Sequence, residues 1–470
     1  MFQRFLRRPW RLLFAIALLL TLLSSWRRLT AASPALQPTQ ASLPQDPWVQ
    51  VFFNQSEASV YRDPYRHIER HGDDLEQVVI TAIDTATTSV DVAVQALNLP
   101  RVAQALVRQH QQGVRVRLIL ENQYANPTST KAKAEQTADW MAIADVDQNG
   151  NLTAVEIEQA DALGLLRRAS IPRIDDTADG SKGSGLMHHK FVIIDSRWVL
   201  TGSANFTLSG IHGDGKTPSS RGNANMLLKI DSPALAKTFT QEFQKMWGDG
   251  PAGAADSQFG LKKRAHVAQQ VELPTSTITV QFSPHSSKHP WAQSVNGLIR
   301  KTLAQSTRSI DMALFVFSEQ RLANQLEKQA QAGTLVRALI DPSFAYRSYS
   351  EALDMLGVTI LNQRCRIEAE NRPWDTPIQT VGYPQLPPGD KLHHKFAVVD
   401  GVTVIVGSQN WSHAANTNND ETLLVFQNPT VAAHFTREFN RLYHSPKLGN
   451  TSSLQRKIQD SQQRCRQVRY

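Results

Sequence analysis

Residues 188–195 read H-H-K-F-V-I-I-D, and residues 393–400 read H-H-K-F-A-V-V-D. Both contain H-x-K-x-x-x-x-D: His188, Lys190 and Asp195 in the first copy, His393, Lys395 and Asp400 in the second. Seven residues past each aspartate begins another shared element, Gly202-Ser203-Ala204-Asn205 and Gly407-Ser408-Gln409-Asn410. A single histidine in an apolar run is ordinary for a core strand. Two copies in matched frames, each followed by G-S-x-N at the same distance, call for another reason, and they suit chemistry at a phosphodiester. One imidazole can attack phosphorus. The other can protonate the leaving oxygen. Lysines and amides can hold the charged non-bridging oxygens.

The repeat extends outward. Ser89-Val90-Asp91-Val92-Ala93 matches Ser309-Ile310-Asp311-Met312-Ala313, and G-V-R-V-R-L-I-L-E from Gly113 matches G-T-L-V-R-A-L-I-D from Gly333, both at an offset of 220. Apolar spacing before Ser89 predicts a helix, V-D-V-A-V-Q a strand, the stretch from Pro100 a second helix stopping at Gly113, and V-R-V-R-L-I-L a second strand. Alternating helices and strands predict an α/β fold of two pseudo-repeated halves, each a mixed β-sheet flanked by helices. The nearly all-apolar motif strands F-V-I-I-D and F-A-V-V-D are expected inside those sheets.

At the histidines the offset falls to 205, so the first half carries a net 15 extra residues. There lies D-V-D-Q-N-G-N-L-T-A-V-E at 145–156, which matches the EF-hand calcium loop. Asp145, Asp147 and Asn149 offer side-chain oxygens, Asn151 its carbonyl, Gly150 the sharp turn and Glu156 two closing oxygens. Helices are expected on both sides. The reading is Ca2+ in a structural or regulatory role, with an acidic turn between helices as the alternative.

Of the 470 residues and net charge of +8, residues 1–28 carry six arginines and no acid, residues 450–470 a net +4, and the stretch between a net −2. The basicity sits at the ends, which weakens a global electrostatic case for nucleic acid. Arg4 to Arg11 precede an apolar run from Leu12 to Trp26, as in a signal peptide or single membrane anchor; either places the body in the cell envelope or outside the cell. The expected division is a signal or anchor at 1–28, a linker at 29–46, a first half at 47–250 with its insertion at about 135–165, a connection at 251–274, a second half at 275–445 and a basic tail at 446–470. Cys365 and Cys465 either pair or remain free thiols. Loops at 179–185, 208–223 and 364–390 are expected to line the site's mouth.

The paired motifs resemble those of the phospholipase D superfamily, over nearly all of residues 50–445. The resemblance implies that the halves pack with both motifs in one site at their interface, and that the reaction passes through a phosphohistidine without a catalytic metal. It assigns His188 and His393 as the reacting pair, and Lys190, Lys395, Asn205 and Asn410 as phosphate-binding groups, with Ser203 and Ser408 adding hydroxyl contacts. It gives Asp195 and Asp400 structural roles. His189 and His394 alternate away from the site on their strands. Glu421 fits the family's carboxylate that orients a catalytic histidine, here expected to be His393, which would become the acid; Asn225 stands at the matching place in the first half. His188, beside an amide, would be the nucleophile. Asp214 is a candidate to replace the missing carboxylate. The substrate expected is a phospholipid at a membrane surface, hydrolysed to phosphatidic acid and a free head group. An exported nuclease acting on DNA or RNA is the alternative, with Phe396 and Trp411 as possible base-stacking groups, and an inactive calcium-binding surface module is the third. With both motifs in one chain, a monomer is expected.

Overall fold

The computed structural model describes residues 36–130, 137–181, 185–264 and 267–467. The apolar run at 12–26 lies outside them, and with it the choice between signal and anchor; among the described residues no helix is long and apolar enough to cross a membrane.

The first half is a seven-stranded sheet: β1 (Val49–Phe53), β2 (Ser89–Val94), β3 (Arg115–Leu120), β4 (Arg173–Asp175), β5 (Lys190–Ile194), β6 (Trp198–Gly202) and β7 (Met226–Asp231), in the order β1-β7-β6-β5-β2-β3-β4. The second contains β8 (Gln269–Leu273), β9 (Ser276–Phe282), β10 (Ser309–Leu314), β11 (Leu335–Ile340), β12 (Val381–Tyr383), β13 (Lys395–Val399), β14 (Thr403–Gly407), β15 (Thr422–Gln427) and β16 (Lys447–Leu448). Its order, β8-β9-β15-β14-β13-β10-β11-β12-β16, repeats the first sheet between β9 and β12 and adds a strand at each edge. Both sheets are mixed. β2 runs parallel to β3 and antiparallel to β5, as β10 does to β11 and β13.

Helices α1 (Leu75–Asp84) and α2 (Pro100–Gln111) cover the outer face of the first sheet, and α7 (Val295–Leu303) and α8 (Gln320–Gln331) that of the second. α2 and α8 stop at Gly113 and Gly333, whose φ of +89° and +92° few side-chain-bearing residues adopt. The inner faces meet. Phe191 and Ile193 of one motif strand and Phe396 and Val398 of the other join one core with α6 (Pro233–Trp247) and α9 (Pro429–Leu442). Alternation along the motif strands thus feeds two cores at once: Val192 and Ile194 face the outer helices of the first half. A fully buried Phe contributes about 1.5–3 kcal/mol, so this shared core fixes how the halves meet.

The insertion is a helix, a loop and two helices: α3 (Ala138–Ala144), α4 (Ala154–Ala160) and α5 (Ala162–Arg168). The expected single helix after the loop is broken at Asp161, whose carboxylate caps α5 through Gly164 N and also accepts from Ser129 N. The segment read as a connection supplies edge strand β8, and the segment read as a basic tail is structured as far as Gln467. It adds β16 to the sheet and then forms α10 (Ser452–Gln467), with Leu454 buried in the second core. A Cys365–Cys465 disulfide ties α10 to the second half, with a Cα–Cα distance of 5.4 Å.

Candidate active site

Each motif histidine lies just before its strand, where the chain bridges to the other half. Met187 bridges Asp420, and His188 N donates to Asp420 O at 2.9 Å. Ala224 bridges Leu392, and His393 N donates to Ala224 O at 3.1 Å. This reciprocal stitching puts the residue before β15 beside the first histidine and the residue before β7 beside the second. Glu421 Oε2 is 2.6 Å from His188 Nδ1, and Asn225 Oδ1 is 2.9 Å from His393 Nδ1.

The expected partnership is therefore corrected. Glu421 orients His188, not His393, and His393 takes the amide. The expectation kept each partner within its own half, whereas the bridges exchange them. Asp214 does not replace the carboxylate: it accepts from Lys216 N and Thr217 N within its own turn. Ser203 and Ser408, expected on phosphate oxygens, instead hold the orienting groups. Ser203 Oγ donates to Asn225 Oδ1 at 2.8 Å and accepts from Met226 N; Ser408 Oγ donates to Glu421 Oε2 at 2.7 Å and accepts from Thr422 N.

The partners fix the imidazole tautomers. Asn225 Nδ2 donates to Gly210 O at 2.8 Å, so its oxygen faces His393 and receives Nδ1–H. Glu421 likewise receives Nδ1–H of His188. Both Nε2 atoms are left for chemistry.

Lys190 and Lys395 start β5 and β13, in register with Val94 and Leu314, and both are buried. Their ammonium groups donate to the carbonyls of His188 and His393 at 2.8 and 2.6 Å. Asn205 and Asn410 each hold a buried Oδ1 without a protein partner. Burial first, then the two lysine charges, push both His188 and His393 well below the usual histidine range. Burial lowers Lys190 to about 7 and raises Glu421 to about 7. Lys395 is also well down, from burial and the neighbouring Lys190. A site that holds its cations this reluctantly is matched to an anionic guest.

His189 and His394 point behind the site. His189 Nδ1 is 2.8 Å from Thr422 Oγ1, and His394 Nε2 is 2.8 Å from Glu438 Oε1, both against the shared phenylalanine core. Asp195 and Asp400 close turns, accepting from the backbone amides of Thr87, Thr88 and Ser89 and of Thr307, Arg308 and Ser309. Trp411 and Phe396 are fully buried and offer no stacking surface. One contributor had no sequence signal. Lys263, from the connection, is buried 2.5 Å from Asp420 and against Glu242. Burial pushes its ammonium down, but those two carboxylates keep it charged, so it pins the residue next to Glu421.

Beside His393 lies a cavity of about 460 Å³, walled by Asn205, Ser209 and Asn223, by Thr137 and Trp140 of the insertion, and by Phe315 and Lys391 of the second half. Away from it, the acidic loop joins α3 to α4. Asp145, Asp147 and Glu156 can each place an oxygen within 4.8 Å of the others. Asn149 Oδ1 accepts from Asn151 N, and Gly150 turns at a φ of +78°. All these donors are hard oxygens, which suits Ca2+.

The described family "Cardiolipin synthase, PLD-like domain" matches residues 79–247 and 299–443. Over 177 residues the chain is 28% identical to the mitochondrial cardiolipin hydrolase of Homo sapiens, covering 38% of this chain and 52% of that protein. It is 25% identical over 141 residues to the mitochondrial cardiolipin hydrolase of Chlamydomonas reinhardtii, covering 30% and 54%. The chain thus spans about half the length of these curated relatives. Among solved structures, the phosphatidylserine synthase of Haemophilus influenzae shares the fold, with a TM-score of 0.52 at 12% identity over 91% of this chain and 93% of that one. The two matched segments coincide with the two halves and carry one H-x-K motif each, and the chain belongs to the PLD-like domain family.

Proposed function

We propose that the protein is a phospholipase D-type phosphodiesterase that hydrolyses a phospholipid to phosphatidic acid and a free head group. The observation carrying this reading is the two pairs His188–Glu421 and His393–Asn225, each with a buried lysine bonded to the histidine's own carbonyl. The lysines and the Asn205 and Asn410 amides receive the non-bridging oxygens. His188 Nε2 attacks phosphorus, the P–O bond to the head group breaks, and Nε2–H of His393 protonates the departing oxygen. Water then attacks phosphorus, its proton passes to His393 Nε2, and the P–N bond breaks to restore His188 and release phosphatidic acid.

The exchanged partners remove the ground on which the roles were expected, a carboxylate beside His393 and an amide beside His188, and the same division of labour is proposed on another. Glu421 stabilises the positive charge that develops on His188 as it attacks, so the carboxylate belongs with the nucleophile. Asn225 offers no such stabilisation, so His393, once charged, gives up its proton readily. The anionic diester between the lysines favours the charged imidazole that the empty site disfavours. Lipid is preferred over nucleic acid because the core of the chain is not basic, the apolar run at 12–26 suits a membrane surface, and the curated relatives are named for cardiolipin. We also assign Ca2+ to Asp145, Asp147, Asn149, Asn151 and Glu156, away from the reacting atoms. The test is head-group release from phospholipid vesicles and cleavage of DNA and RNA, each with wild type and His188→Ala. Lipid turnover lost in the variant supports the reading. Nucleic-acid cleavage alone, lost in the same variant, replaces the substrate.

A further inference from the structure

The stretch that brings Asn225 to His393 is held at its far end by a charge. Residues 222–225 of the first half run parallel to residues 390–393 of the second, bridged at Ala224 and Leu392. His393 N donates to Ala224 O at 3.1 Å, and Ala224 N to Lys391 O at 2.8 Å. At the start of this ladder, level with Gly222, stands Asp390. Its carboxylate accepts from Arg221 N at 2.9 Å, Gly222 N at 3.1 Å, Gln55 Nε2 at 3.3 Å and the Ser220 hydroxyl. Lys391 N donates to Asn223 Oδ1 at 2.9 Å. The rungs lead without a gap from Asp390 to the contact of Asn225 with His393.

The other site lacks this clamp. Position 185 matches 390 at the offset of 205 and is glycine; a Cβ there would lie 2.7 Å from Asn419 Oδ1. The orienting group of that site is itself charged, and Glu421 attracts the imidazolium of His188. Asn225 is neutral. Ser203 and Gly210 hold its side chain, but where that side chain meets His393 depends on the register of 222–225 against 390–393. Hydrogen bonds to a carboxylate are the strong kind that can fix this register. Stability does not explain the charge. Burial pushes the half-buried Asp390 carboxyl up to about 6, so at neutral pH the fold keeps it ionised at a cost. The groups facing it carry both signs. Arg70 donates to Ser220 O, and Arg441 of α9 reaches Asp390 through Gln55 and is itself paired with Glu438. The Arg221 guanidinium is taken by Glu57, Asp214 lies against Gly389, and Lys391 follows in the chain.

Resting on the reaction proposed above, we infer that Asp390 is a positioning residue for His393: its carboxylate clamps the amides of Arg221 and Gly222 across the interface and so holds Asn225 on Nδ1 of the imidazole. It acts through Asn225 and not on the substrate. A protonated carboxyl, like an amide, turns a donor toward one of the two N–H groups and opens the clamp.

The experiment compares wild type with Asp390→Asn, which keeps the shape and mimics the protonated carboxyl, on bis(p-nitrophenyl) phosphate from pH 5 to 8. Nitrophenolate leaves without a proton, so the first turnover reports attack by His188 alone. The steady state also reports release of the phosphohistidine, with His393 as base. In Asp390→Asn the first-turnover rate is expected within twofold of wild type, while kcat at pH 8 falls about tenfold. The ratio of wild-type to variant kcat should shrink toward one at pH 5, where wild type is itself protonated at Asp390. A fold defect lowers the amplitude of the first turnover and kcat together at every pH. A kcat ratio constant across this range, or a first turnover slowed as much as kcat, overturns the inference and leaves the parent reaction standing, since wild type still turns over. No turnover by folded wild type removes the parent reading, and this one with it.

Discussion

At the scale of single residues, the proposed reaction rests on which group faces each imidazole. Replacing Glu421 by Gln keeps the shape and removes the charge beside His188; kcat is expected to fall by about a hundredfold or more, with Ser408→Ala smaller in the same direction, both read as head-group release. Anion binding gives a separate check. In the empty site Lys190 is charged below about 7 and neutral above it, while Glu421, raised to about 7, becomes negative over the same interval. Both changes oppose an anion. Inhibition by tungstate should therefore weaken as pH rises from 7 to 9, by up to about tenfold per pH unit for each proton taken up. Lys190→Arg, which does not titrate there, makes the dependence shallower; an inhibition constant flat across this range contradicts the assignment. The histidines, lysines and asparagines were legible in the sequence because their spacing repeats. The partner of each histidine was not, since it depends on bridges such as Met187 to Asp420 that no local pattern records.

At the scale of elements, the helices that brace the motifs carry a pH signature. Burial pushes Glu438 of α9 upward, but Arg441 and His394 hold it down to about 2. Its folded pKa lies below its ordinary value of 4.5. The stability it contributes is thus fully present above 4.5 and is lost as pH falls from there toward 2. Glu438→Gln is expected to cost about 3 kcal/mol at neutral pH and progressively less on acidification, measured by urea unfolding at pH 7 and pH 3. A constant difference would refute the pairing. For the insertion, Ca2+ should raise the thermal midpoint of wild type but not of Glu156→Gln, and EDTA should reverse the shift; identical responses would remove the calcium assignment. The strands and the helices stopping at Gly113 and Gly333 were legible from periodicity and punctuation. The break at Asp161 was not, because that carboxylate is recruited by Ser129, far away in sequence. Nor was α10, whose polar sequence reads as tail until the disulfide and Leu454 anchor it.

At the scale of the whole molecule, two sheets share one core and one site, and neither half holds a complete catalytic set. We propose a monomer on that ground, and specific activity should then not change on dilution. The disulfide spans 100 residues of sequence, and Cys365→Ser should lower stability by about 2–4 kcal/mol with little effect on turnover, because the bond ties α10 to the second half and neither cysteine lines the cavity beside His393. Duplication was visible in the repeated motifs, but the contribution of the connection through Lys263 was not, since a lone lysine in a polar stretch gives no hint of burial. Attack by His188 across the interface, with His393 as the acid, can be trapped as a covalent intermediate. A phosphorus-labelled phospholipid is mixed with wild type, His188→Ala and His393→Ala, quenched in alkali, and the labelled peptide is mapped. Expected are an alkali-stable, acid-labile phosphoramidate on His188 in wild type, more of it in His393→Ala with a substrate whose leaving group needs no proton, and none in His188→Ala. Label on His393 in the His188→Ala protein would contradict it.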